Sequence, residues 1–106
     1  MFEKFFGPKN EEEVERALFE VGSKELEVGV NGPTMFHAFN AMREENKKKG
    51  YGFTNNHILK VVRECAFGHV SEIEDSLMGG RDEVYKKIDS EIERLHQDLP
   101  ESERGV

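Results

Sequence analysis

The sequence holds a single cysteine, Cys65, and no tryptophan. One thiol excludes an intramolecular disulfide framework, and a small domain without such staples is expected in a reducing compartment. No apolar run approaches the ~20 residues that a membrane span requires. The opening Met1-Phe2-Glu3-Lys4-Phe5-Phe6-Gly7-Pro8 lacks the long apolar core of a signal peptide, so a soluble, cytoplasmic protein is expected. The ten glycines never fall into a phosphate-binding loop pattern, and there is no internal repeat.

Chemistry-bearing spacings are scarce as well. The four histidines, His37, His57, His69 and His96, form no His-x-x-x-His pair, and there is no Cys-x-x-Cys. On spacing alone no metal and no cofactor are expected. Cys65 shares a stripe with Ile58, Val61 and Val62, which reads as a buried apolar cysteine rather than a nucleophile. The acidic runs Glu11 to Glu15 and Glu72 to Asp75 sit on solvated helix turns, where nothing adjacent would separate their pKa values into an acid and a base. A non-enzymatic protein is the expectation.

What is present is charge and helical periodicity. The 106 residues fit one domain, expected over 1–99 with a flexible tail over 100–106. Such a chain buries somewhat over ~60% of the surface its unfolded form exposes. Hydrophobic residues make up 36% and charged ones 35%. The net charge of −7 is uneven, at −4 over residues 1–30, +3 over 31–70 and −6 over 71–106. A mildly basic middle therefore lies between two acidic ends, and the global charge opposes non-specific nucleic-acid binding.

The periodicity predicts a mostly α fold of four or five helices. Asn10 precedes Glu11, Glu12 and Glu13, an N-cap followed by acids at the positive end of the helix dipole. Val14, Ala17, Leu18 and Val21 continue that helix to about 21, with Gly22 as its end. Leu26, Val28 and Val30 alternate with Glu27 and Gly29, which predicts at most one short strand near 25–30. Asn31-Gly32-Pro33 is a breaker. Thr34 then caps a second helix carrying Met35, Phe36, Phe39 and Met42, which runs to Lys49 and stops at Gly50. Thr54, Asn55 or Asn56 caps a third, with Ile58, Leu59, Val61, Val62, Cys65 and Ala66 on its apolar face. Gly68 is read as a break before Val70, Ile73 and Leu77, because an interior glycine costs ~1 kcal/mol relative to alanine. Met78-Gly79-Gly80 is a stop. The last helix, 81–97, keeps Val84, Ile88, Ile92 and Leu95 on one face, and Pro100 ends it.

Residues 55–97 then read as helix, loop, short helix, glycine turn and long helix. This resembles the helix-turn-helix and winged-helix pattern, on Ile58 to Arg63, Val70 to Leu77, Met78-Gly79-Gly80 and the helix from Arg81. The resemblance implies a last helix lying in the major groove, with Arg81, Asp82, Glu83, Lys86, Lys87 and Ser90 toward DNA. The sequence departs from the pattern at Glu74, where a small residue is usual, and at Asp82 and Glu83, which open the reading helix with acids. Lys47, Lys48 and Lys49, with Arg43, Lys60 and Arg63, form a basic centre that would join such a contact, with Tyr51 and Phe53 available for stacking.

The leading functional expectation is a small acidic regulator that binds a protein with a basic surface through Glu72, Glu74, Asp75, Asp82 and Glu83. DNA binding is the alternative, and no membrane partner is expected. Phe2, Phe5 and Phe6 are expected to cover the core or a second subunit, because a homo-oligomer would bury area that a single chain lacks.

Overall fold

A computed structural model describes residues 10–73 and 81–104. Four helices make up most of it: α1 (Glu11–Leu26), α2 (Gly32–Lys49), α3 (Asn55–Ile73) and α4 (Arg81–Asp98). No strand forms among the described residues. The aromatic segment 1–9, Leu77 and the Met78-Gly79-Gly80 stop lie outside them.

Side chains fix the helix starts. The Glu13 N–H donates to Asn10 Oδ1 at 2.9 Å, capping α1 ahead of its three acids. Asn31 caps α2 through a reciprocal box with Thr34. The Thr34 N–H donates to Asn31 Oδ1 and the Asn31 N–H donates to Thr34 Oγ1, each at 2.9 Å. The Asn31-Gly32-Pro33 breaker is thus the start of the helix itself, with Pro33 in the first turn where its missing N–H costs nothing. Thr54 starts α3, its hydroxyl accepting from the His57 N–H at 3.1 Å.

Gly50 ends α2 at φ +68°. Its N–H reaches Lys47 O and the Tyr51 N–H reaches Asn46 O, the paired closure of a Schellman motif. The next loop is clipped by one amide: Asn46 Oδ1 accepts from the Phe53 N–H at 2.9 Å and Asn46 Nδ2 donates to Phe53 O at 3.1 Å.

Two glycines expected to break helices lie inside them. Gly22 is buried in α1. A Cβ there would collide with Met42 Cε, so glycine lets α1 and α2 approach closely at that point. Gly68 sits within α3, with a Cβ position 3.7 Å from Phe19 Cζ. The expected strand is absent for a related reason. Leu26 is the last buried residue of α1, whereas Val28 is 85% exposed, so the alternation spans a helix end and a turn.

The core joins all four helices. Val14, Leu18 and Leu26 meet Met35, Ala38, Phe39 and Met42, with Ile58, Val61, Val62, Cys65, Ala66 and Val70 from α3 and Ile88, Leu95 and Leu99 behind them. Pairings between α1 and α3 run in the same order, Glu15 with His57 and Ser23 with Cys65. Those between α3 and α4 run in opposite order, Phe67 with Tyr85 and Arg63 with Asp89. The helices therefore alternate up and down.

This arrangement bears on the C-terminal half. Val70 to Ile73 continue α3 instead of opening a separate helix, and α3 and α4 lie side by side and antiparallel. A helix-turn-helix unit crosses its two helices at roughly 90–120°. Residues 101–104, expected to be a loose tail, form a 3-10 turn, Glu101–Glu103, held to the helices. Arg43 Nη2 donates to Glu103 Oε1 at 2.8 Å, and Asn55 Nδ2 donates to Glu103 O at 3.0 Å.

Candidate functional site

Of the five acids expected to bind a partner, Asp82 and Glu83 are exposed in the first turn of α4. They sit where the helix dipole favours negative charge. Glu72 lies in the last turn of α3, and Glu74 and Asp75 fall outside the described residues.

The basic candidates divide between two places. Lys47, Lys48 and Lys49 are exposed in the last turn of α2. Lys47 and Lys48 border an open groove with Arg43, Asn46 and Asn55, while Lys49 pairs with Glu45 at 3.4 Å. Lys86 and Lys87 are exposed on α4 and border a different groove, beside Asn31 and Gly32 at the opposite end of α2. Eighteen residues of helix separate those ends, about 25 Å at 1.5 Å per residue. Arg81 opens α4.

The two arginines of the basic centre are already engaged, while Lys60 is exposed on α3. Arg43 holds Glu103, and Arg63 bonds Asp89 at 2.6 Å while covering the Phe67 ring. Tyr51 and Phe53 pack partly buried against the core. One face of Phe53 is taken by the His57 ring, 3.8 Å away between centroids and 6° from parallel. These aromatics are supports of the fold rather than open platforms for a base.

The fold also assembles a cluster that sequence spacing does not reveal. Glu11 and Glu15 lie one turn apart at the start of α1, and His57 lies in the first turn of α3. His57 Nε2 is 2.9 Å from Glu15 Oε2 and 3.2 Å from Glu11 Oε2. The Glu-x-x-x-Glu spacing is visible in the sequence, but its partner lies 42 residues beyond Glu15. Only the parallel packing of α1 on α3 brings them together.

Cys65 is buried and unpaired, as its stripe predicts. Its Sγ lies 3.2 Å from Ser23 Oγ and 3.5 Å from Phe19 O. Burial pushes the thiol above its ordinary value, and the Ser23 contact offsets part of that rise. No other polar or charged side chain among the described residues is buried. No helix among them is long and apolar enough to cross a membrane.

Compared with the models of known protein families, with curated proteins and with solved structures, the chain matches none of them.

Proposed function

We propose that the chain is a small acidic, non-enzymatic regulator that works by binding another macromolecule, a protein with a basic surface, in a reducing cytoplasmic setting. The observation that carries this reading is the placement of charge. Glu12, Glu13 and Glu20 on α1 and Asp82 and Glu83 on α4 are exposed, and no ion pair engages them among the described residues. Unneutralised carboxylates on a chain of net charge −7 steer encounter with a cationic surface and repel nucleic acid. A catalytic centre, by contrast, is usually a place where charged groups are desolvated and their pKa values displaced.

One concrete form is an inhibitor that presents carboxylates where its partner would otherwise take nucleic acid. The DNA-binding alternative has weaker support, because its lysines lie at opposite ends of α2 and α4 lies antiparallel along α3. A homodimer remains part of the proposal. Phe36 is 47% exposed on α2, an apolar surface that a second copy could cover. Sedimentation equilibrium tests this, with a dimer mass expected and a monomer mass contradicting it. For the main reading, mixing the chain with random duplex DNA at ~50 mM salt should produce no gel shift. A shift that disappears steeply with added salt would favour the alternative.

A further inference from the structure

Two carboxylates and one imidazole meet where the start of α1 touches the start of α3. Glu11 and Glu15 share one stripe of α1. His57 points its Nε2 at both, and the three donor atoms lie within 4.8 Å of one another.

A single N–H cannot serve two carboxylates equally. The His57 ring bonds Glu15 at 2.9 Å, whereas Glu11 lies at ion-pair distance, 3.2 Å, without a hydrogen bond. A cation between the three atoms would satisfy all of them. The two separations from the imidazole suit this: neighbouring ligands of an ion with bonds of about 2.0–2.1 Å lie roughly 2.8–3.4 Å apart in octahedral or tetrahedral geometry, and Nε2 lies 2.9 and 3.2 Å from the two carboxylates. The imidazole is also held in place. Its ring lies flat on Phe53, and its backbone N–H is fixed by Thr54 Oγ1. Phe53 is itself clipped by Asn46. An ion would find the histidine already oriented, which lowers the cost of binding.

We infer that Glu11, Glu15 and His57 form a binding site for a divalent transition-metal ion. One imidazole and two carboxylates suit Zn²⁺ and its neighbours, whereas Mg²⁺ and Ca²⁺ favour all-oxygen sets. The Glu11 side chain is 69% exposed, so the positions that protein leaves open face solvent and take water. The ion's role is that of a staple, tying the first turns of two helices that are distant in sequence. This site is independent of the acidic recognition surface, and either can fail without the other.

The test is titration of the untagged, chelator-stripped full chain with Zn²⁺, read by calorimetry and thermal unfolding, with Co²⁺ absorbance reporting the ligand field. One equivalent is expected to bind with micromolar affinity. Zn²⁺ at 100-fold excess over its Kd should raise the unfolding midpoint by about 10 °C, and equal Mg²⁺ should not. Glu15→Gln and His57→Gln should each weaken binding at least tenfold. Glu11→Gln, a change at an exposed position that leaves the fold intact, should weaken it as well, and His37→Gln should not. Absence of Zn²⁺ binding by the unmodified chain would overturn the site. So would binding that survives Glu11→Gln and Glu15→Gln, since the three groups would then be a charge bridge and the ion would be held elsewhere.

Discussion

The carboxamide of Asn46 grips both the N–H and the C=O of Phe53, at 2.9 and 3.1 Å. One side chain from the end of α2 thereby fixes the loop that starts α3 and sets the ring on which His57 rests. Asn46→Ala leaves two half-buried backbone groups without their partner. It should lower stability by about 1–2 kcal/mol. Urea unfolding monitored by circular dichroism measures this, and an unchanged midpoint would show that the clip is dispensable.

Gly22 and Gly68 predict opposite outcomes for the same substitution. Gly68→Ala adds a methyl at ordinary contact distance from Phe19 and removes an interior helical glycine. It should raise stability by about 0.5–1 kcal/mol. Gly22→Ala places a methyl on Met42 Cε, and Met42 is fully buried. The repacking cost, about 1–3 kcal/mol, outweighs the gain in helix propensity, so a net loss of about 1 kcal/mol is expected. Thermal melts of the two variants should shift in opposite directions.

The two glycines also show where sequence reading stops. Asn10 and Gly50 are legible as a cap and a stop, and Thr54 as one of three candidate caps with Asn55 and Asn56, because capping is local chemistry, decided within three or four residues. A glycine inside a helix looks identical to one that ends it until the neighbouring helix is known, and Met42 settles Gly22. The alternation from Leu26 to Val30 reads as a strand for the same reason, since a helix end followed by a turn produces the same two-residue rhythm. The apolar stripes of α3 and α4 were legible because their periodicity is long. The Glu11, Glu15 and His57 cluster was not, because it exists only through contact between distant segments.

Cys65 carries a pH signature. Its folded-state pKa is raised, chiefly by burial, so the unfolded chain loses the thiol proton first as pH rises. Below the unfolded value of about 8.5 both states are protonated and the group has no effect. Above it the unfolded state is favoured, and stability should fall with increasing pH. The reaction of Cys65 with an aromatic disulfide reagent should correspondingly be slow in the native state and become fast in denaturant. Rapid native-state labelling at neutral pH would contradict the burial.

Exposed carboxylates predict a salt-sensitive interaction. Replacing Asp82 and Glu83 by lysine reverses two charges at the positive end of the α4 dipole, so the double variant should stay helical but lose about 1–2 kcal/mol of stability. Circular dichroism and unfolding of the double variant check this, and a loss well beyond that dipole contribution would mean that these acids pack into the fold rather than face a partner.

The proposed function is recognition of a basic protein through acidic helix surfaces. Its most direct test compares host proteins retained by the unmodified chain and by Asp82→Lys/Glu83→Lys, quantified by mass spectrometry at low and moderate salt. A basic partner should be held by the unmodified chain, be released by salt and bind the variant about tenfold more weakly. Equal retention by both forms, or retention that salt leaves unchanged, would contradict the claim.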